Sequence, residues 1–479
     1  MGILKEIRRW WASLWQKEAQ DKFKVETLES DVMRKAQKEW MDTYQGKPPW
    51  ADDDIESFNF AKKLCNETAR LTTLALGISI EGSARADWHN TFMKSYIHRM
   101  KEEFCEKAAA FGYIIMKPNG KGIDYLMPWE FCPTDVDDGE IIGGIFYDHY
   151  HESGDKWYYT RLEWHRFEQK VPESEKMYRI TNRAYKSDAP DAIGKEVDLA
   201  STVWADMMDD ASISNLEKPL FSVFKMPIAN NVDLNSPLGV SLFSNGMKEL
   251  KNLDVAWTRM GDEVFDSQKK VFMGDMLTEE PGRPVRNRIL ANGVVDKTGQ
   301  SLPRYVHILP GSNTGEEYHE INPTLQTADR INGINHFLDM VGVKCGYSAG
   351  QFVLDGRTGQ VTATQVESDD RETIQTIKQI RDSFQTATDN LIYAQDKYAD
   401  LYGLAPVGAY EINYDFGDIT YNWEEDRARH WQYVQNGKYP LWMYYVNFEG
   451  MSEEEAKAVV AEAKAENKVE QRAGLFGEE

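Results

Sequence analysis

The chain has 479 residues, a formal net charge of −23, 41% hydrophobic residues, and 14 Trp, 23 Tyr and 20 Phe. That length is more than one compact core serves well, so two or more domains are expected, and the aromatic supply excludes general disorder. The charge argues against a protein that grips duplex DNA by neutralising phosphates, but it leaves room for a surface that DNA slides past.

Residues 1–45 form a first segment, in which Ile3, Leu4, Ile7, Trp10, Trp11, Leu14 and Trp15 recur at helical spacing among Lys5, Arg8, Arg9 and Lys17. This is an amphipathic arm, to be packed on its own or a neighbouring subunit or laid on a membrane surface. Glu6 and the lack of a continuous apolar stretch argue against a signal peptide. No run approaches the ~20 apolar residues needed to cross a bilayer. The turn Gly46-Lys47-Pro48-Pro49-Trp50, followed by Asp52, Asp53 and Asp54, separates the arm from the body.

From Ile55 to about Glu81 the positions of Phe58, Ala61, Leu64, Cys65, Thr68, Leu71 and Leu74 predict a helix, and a second runs from Phe92 to Phe111 with Gly112 as its stop. The period then changes. Tyr113–Met116, Gly143–Tyr147, Lys156–Thr160 and Met177–Ile180 are short, aromatic and β-branched, so 112–230 reads as antiparallel sheet and the chain as α+β.

Ser236-Pro237 reads as a helix start, and Phe243, Met247, Leu250, Asp254, Trp257, Met260 and Val264 place one face on a helix reaching Lys269-Lys270. A second helix is expected from Asn322-Pro323 to Gly346, with Leu325, Ala328, Ile331, Ile334, Leu338 and Val341 on one side. Between them lie strand-like Val271-Phe272-Met273 and Tyr305–Leu309 among Gly-containing turns. Two long helices framing a small β-rich insertion describe a stalk with that insertion at its far end.

Residues 347–362 form a glycine-rich stretch without period, longer than the roughly 2–8 residues that usually join helices. Loops of that length carry function or are disordered. Gln351, Phe352, Asp355, Arg357 and Thr358 are its candidate contact residues, and Lys344 adds a positive charge nearby. A long helix is expected from Ala363 to Tyr402 with Gly403 as its stop, then a strand at Glu411–Tyr414 and short helices around Trp423–Gln435 and Glu453–Glu466, the last opened by a capping box at Ser452.

Catalytic chemistry has little support, and no cofactor is expected. Lys47, Lys121, Lys195 and Lys438 each follow a glycine, but none precedes Ser or Thr, so there is no phosphate-binding loop. Asp148, His149, His151 and His165 are the one candidate metal cluster, set against a solvated edge strand as the plainer reading. Cys65, Cys105, Cys132 and Cys345 lack metal-site spacing and read as buried thiols of a reducing compartment. A Ser-His-Asp or Cys-His centre is not expected.

A resemblance covers about residues 45–460. Pro219-Leu220-Phe221, Phe224-Lys225-Met226-Pro227, Ala229-Asn230, Ser236-Pro237-Leu238-Gly239, Glu263-Val264-Phe265, Lys270-Val271-Phe272 and Thr362-Ala363-Thr364-Gln365-Val366, in that order, resemble the portal proteins of long-tailed bacteriophages of Gram-positive hosts. The Asn66-Glu67 helix and Ala109-Phe111-Gly112 agree in placement.

The resemblance implies a homo-oligomeric ring of about twelve subunits at a capsid vertex of the virion, assembled in the host cytoplasm. Its expected partners are double-stranded DNA, the terminase large subunit, a head completion or connector protein, and the major capsid and scaffolding proteins, with no membrane. It also implies a phage portal fold: an α/β wing at 46–235, stem helices at 236–268 and 323–346, and a β-containing clip at 269–322. A tunnel loop facing DNA at 347–362, a long wing helix at 363–403 and a helical crown at 404–479 complete it. The alternatives are a metal-dependent intracellular enzyme built on Asp148, His149 and His151, or another head or tail structural component.

Overall fold

The computed structural model describes residues 15–152, 154, 156–169, 176–266, 270–274, 288–290, 293–295, 306–309, 318–321, 324–354, 371–417, 430–436, 438–449 and 455–461. The chain divides into two units, Met1–Phe416 and Gly417–Glu479. The fold is α+β.

The first unit opens with helix α1 (15–23), the described end of the Trp-rich arm. Trp15 is buried among Cys132, Ile145, Leu162 and Tyr185. Its indole donates to Trp129 O at 2.9 Å, and the Gln16 amide donates to Phe131 O at 2.8 Å. Here the arm packs on its own chain. Helix α2 (Asp31–Tyr44) starts where Ser30 Oγ accepts from Met33 N, and it buries Met33, Trp40 and Met41.

Helix α3 (Phe60–Thr72) is shorter than its sequence pattern suggests, because β1 (Gly77–Glu81) follows and pairs with β16 (Glu411–Asp415). The chain turns at Ala75, where φ is +53°, and Ile78 and Ile80 then point inward with a strand's period. The second predicted helix starts earlier than Phe92, as α4 (Ala84–Arg99), passes through a π turn (Met100–Phe104) and continues as α5 (Cys105–Phe111). Gly112 stops it at φ +89°; a Cβ there would lie 2.5 Å from Gly239 O.

The sheet expected over 112–230 is present in two pieces. β2 (Tyr113–Pro118) lies between β3 (Ile123–Leu126) and β10 (Ser222–Lys225). A six-stranded antiparallel sheet runs through β4 (Phe131–Asp137), β5 (Glu140–Tyr150), β6 (Tyr158–Glu168), β7 (Met177–Ser187) and β8 (Lys195–Val197), with β9 (Asp210–Ile213) also on β7. Asp138-Gly139 closes β4 onto β5 with positive φ at both residues, +48° and +78°, the twist a two-residue hairpin requires.

Ser236-Pro237 does not start a helix. Ser236 Oγ accepts from Leu238 N instead, and 237–243 runs irregularly to a 3₁₀ turn (Ser244–Gly246) before helix α6 (Met247–Asp266). Leu242 N donates to Ala109 O at 2.9 Å, and Gly239 presses on the Gly112 backbone. These tertiary bonds to the end of α5 override the local capping signal.

Beyond α6, β11 (Lys270–Gly274) pairs with β15 (Tyr318–Ile321) and, in parallel, with β14 (Val306–Leu309), while β12 (Arg288–Leu290) pairs with β13 (Gly293–Val295). Helix α7 (Thr327–Lys344) returns, beginning after the predicted Asn322-Pro323, which lies outside the described residues.

Helix α8 (Arg371–Tyr402) spans ~48 Å at ~1.5 Å per residue; Ala363 to Asp370 of its predicted span fall outside the described residues. It needs neighbours along its length and has them. Ile377, Ile380, Phe384, Ala387, Leu391 and Ala394 are buried, Phe384 meets Phe224 and Tyr96, and Ser222 Oγ donates to Ala387 O at 2.6 Å. Arg85, 1% exposed, bonds both Asp396 and Asp400 and fixes α4 to the far half of α8.

In the second unit, helices α9 (430–435), α10 (Leu441–Glu449) and α11 (455–461) are described. The helix at 441–449 is not marked in the sequence pattern, and Ser452 lies outside the described residues. All four cysteines are free and buried, and burial pushes Cys105 and Cys345 up to about 12 and Cys132 to about 11. Among the described residues no helix is long and apolar enough to cross a membrane.

Candidate functional site

The stalk read from the sequence is an antiparallel hairpin of α6 and α7, fixed by ion pairs at both ends. At the base Glu249 meets Lys344 at 2.7 Å. At the distal end Glu263 Oε1 accepts from Gln326 N at 2.9 Å and Oε2 from Arg330 Nε at 2.6 Å. Helix α7 has no side-chain cap of its own, so α6 supplies the anion that the N-terminal N–H groups favour. Those bonds also hold the Glu263 carboxyl below the usual carboxylate range.

Burial divides the hairpin in two. Near the base Leu250, Leu253, Ile334, Leu338 and Val341 are buried, whereas Val264, Ile321 and Leu325 at the distal end are 52%, 49% and 51% exposed. The sheet of β11, β14 and β15 continues directly from the distal end, since Lys270 pairs with Ile321.

At the base, α7 stops at Gly346 (φ +83°), and the Thr376 hydroxyl donates to its carbonyl at 2.6 Å. The glycine-rich stretch then folds back on α7. Gly350 N donates to Asp339 Oδ1, and Leu354 N donates to Asn335 Oδ1 at 2.8 Å. Tyr347 is buried, its hydroxyl 2.5 Å from Thr68 Oγ1; burial, above all, raises its pKa.

Of the predicted contact residues, Gln351 and Phe352 are half-buried. The Phe352 ring is held edge-on by Phe60 at 5.2 Å and Tyr347 at 5.0 Å, so it anchors the loop to the body. Val353 and Leu354 beside it are exposed. Asp355, Arg357 and Thr358 lie outside the described residues. The positive charge expected of Lys344 is matched by Glu249.

No protein-family model and no curated protein matches this chain.

The rival metal cluster does not converge. Asp148 Oδ2 accepts from the Trp204 indole at 3.0 Å and faces Arg161, while the His149 and His151 rings stack with Tyr158. His165 pairs with Gly144, well along β5 from His149 opposite Thr160. Among the described residues no group of three or more His, Cys, Asp or Glu is placed to hold a metal.

Gly346-Tyr347-Ser348-Ala349-Gly350 does match the G-x-S-x-G pattern of serine hydrolases, against the expectation that such a centre lacks a motif. The pattern requires a strand entering and a helix leaving, with an exposed hydroxyl. Here a helix enters, and Ser348 is 4% exposed with its Oγ accepting from Thr373 N and Thr373 Oγ1. It is a structural serine.

The sequence reading missed a buried ionic network. Glu163 meets Lys117 at 2.7 Å, Arg161 at 3.1 Å and His165 at 2.6 Å, and His165 Nδ1 is 2.7 Å from the Tyr178 hydroxyl. Its signal was present: Arg161, Glu163 and His165 alternate along β6, which places three ionisable groups on one face. The carboxylate–imidazole–phenol series resembles a catalytic relay, but His165 and Tyr178 are fully buried, so substrate cannot reach them.

Proposed function

We propose that this chain is a portal protein, the ring-forming subunit of a DNA channel at one vertex of a tailed-bacteriophage capsid. The observation that carries the reading is the antiparallel hairpin of α6 and α7, with a β-sheet at its distal end, a glycine-rich loop at its base and α8 following. In this reading α6 and α7 are the stem, β11–β15 belong to the clip that docks terminase and later the connector, and 347–362 is the tunnel loop. The half-exposed Val264, Ile321 and Leu325 suit a stem whose distal surface a neighbouring subunit covers.

Function then follows from passive properties. A chain of net charge −23 repeated around a ring opposes adhesion of DNA to the channel wall. A separate ATPase drives DNA through, and the loop at the constriction retains it by weak contacts.

Negative-stain images of the purified protein are expected to show rings with a central hole. A population of monomers or dimers without one overturns the proposal. Deleting Gly350–Gly359 is expected to leave rings intact and impair DNA packaging or retention; normal packaging removes the loop's assigned role.

A further inference from the structure

The segment between the arm and α3, which the sequence marks only as a turn, lies along the stalk helix. Trp50 Nε1 donates to Asp254 Oδ2 at 2.8 Å, and Phe58 N donates to Asp254 Oδ1 at 2.9 Å. One turn further along α6, Thr258 Oγ1 accepts from Glu56 N at 2.9 Å, and the Phe58 ring stands edge-on to Trp257 at 4.9 Å. Asp254 is 4% exposed and places a carboxyl group in an otherwise apolar stripe. The donors of 50–58 around it, the Trp50 indole, the Phe58 amide and the Ser57 side chain, are neutral. A buried carboxylate without a cation is costly unless both oxygens are bonded, and these bonds are what 50–58 provides.

The contacts continue into the glycine-rich loop. Phe58 is 6.4 Å from Phe60, Phe60 is 5.2 Å from Phe352, and Phe352 is 5.0 Å from Tyr347. Between Phe58 and Phe60 stands Asn59, at φ +54° and ψ +40°, a left-handed conformation that Asn tolerates better than most residues. The strap and the first turn of α3 thus meet at a bend, with α6 on one side and Phe352 on the other.

We propose that residues 50–60 are a joint that sets the position of residues 347–354, the start of the glycine-rich stretch, relative to α6, with Asp254 as its positioning residue. When α6 shifts or tilts, Asp254 carries Phe58 with it, and the aromatic series passes the displacement to Phe352. The joint acts in the isolated chain and does not depend on what passes the loop.

Amide hydrogen exchange on the full-length protein, read by mass spectrometry, tests this. Asp254→Ala is expected to speed exchange roughly tenfold or more in peptides covering 50–58 and also in those covering 347–354, with β5–β7 unchanged. Asp254→Asn, which keeps one acceptor, should restore much of the loop's protection. Faster exchange at 50–58 with 347–354 unchanged overturns the proposal. If Asp254→Ala speeds exchange in β5–β7 as well, Trp50→Phe, which removes only the indole N–H, decides by the same criterion. Ring formation is scored separately, so failure of the joint and failure of the channel reading give different results.

Discussion

Replacing Glu163 by Gln keeps the side chain's shape and removes the one negative charge that Lys117, Arg161 and His165 share. The four side chains are 8%, 10%, 9% and 0% exposed, so solvent does little for the charges left behind. Leu220 N donates to the Tyr178 hydroxyl at 3.1 Å, and with a neutral ring the hydroxyl donates to His165 Nδ1 and His165 Nε2–H donates to Glu163. Held below its ordinary value by burial, the histidine is neutral at pH 7. Burial, its main cause, lowers the His165 pKa, whereas Glu163 overcomes its own burial through Lys117 first, then His165 and Arg161, and lies well below the carboxylate range. The variant strands buried Lys117, and Arg161 keeps Asp148 at 3.4 Å as its carboxylate, beside the Asn182 side-chain carbonyl oxygen, so a loss of about 3–5 kcal/mol is expected. Lys117→Met, which leaves the carboxylate two partners, should cost less, about 1–3 kcal/mol. Both pKa shifts make the native state bind fewer protons than the unfolded chain, so stability falls as pH drops. The fall begins below the ordinary histidine value of 6.5 and steepens below the ordinary carboxylate value of 4.5; the variant should show a smaller second step, since Glu67, Glu168 and Asp210 are also held low. Urea unfolding at a series of pH values, followed by Trp fluorescence, measures both effects. A loss within about 1 kcal/mol at pH 7, or a second step of undiminished size, refutes the coupling.

Glu29 has the opposite sign: burial, opposed by Arg34, Gln37 and Gln16, raises it to about 7. Its contribution is fully present below 4.5 and lost as pH rises to about 7, so Glu29→Gln should gain on the order of 3 kcal/mol at pH 8 and nothing at pH 4 in the same titration. Gly346→Ala forces a left-handed residue whose Cβ meets Thr376 Oγ1 at 2.5 Å, and is expected to lower stability by about 1–3 kcal/mol in thermal unfolding. Val264→Ser with Leu325→Ser, at half-exposed positions, should leave circular dichroism unchanged but shift sedimentation toward smaller species; an unchanged oligomer places the subunit contacts elsewhere.

Elements whose burial repeats with their own period were legible. The faces of α6, α7 and α8 follow from local spacing, because one side of each packs on a core. The strands at 140–150, 158–168 and 177–187 were marked instead by aromatic and β-branched runs between turn residues, and they are buried on both faces over part of their length. What failed was decided by partners distant in sequence. Ser236-Pro237 carries a sound capping signal, but the Ala109 carbonyl and the Gly112 backbone hold the following residues out of a helix. The strand at 77–81 continues a helical-looking pattern, and only β16, more than 300 residues later, makes it a strand. The helix at 441–449, where Tyr444 is the buried residue among 441–446, has too little periodicity to be read from spacing.

The stalk was legible for the same reason, and its fastenings were not. Glu263 caps α7 from another helix, and no local pattern encodes an anion supplied across the hairpin. Asp254 did leave a trace, since it falls in the apolar repeat of α6 where a leucine would be ordinary. A carboxylate in such a stripe has to be bonded or expelled, and the sequence alone does not say which residue bonds it. The turn at 46–54 and the charge at 254 were two separate oddities, one a segment without period and the other a polar residue within one. The bonds from Trp50 and Phe58 make them one feature: the strap satisfies the aspartate, and the aspartate gives the strap a fixed path along the stalk. The same holds on β6, where three ionisable residues on one face make sense only once Lys117 from β2 completes the set. In both places a charge that breaks the hydrophobic pattern marks where two parts of the chain are fastened together.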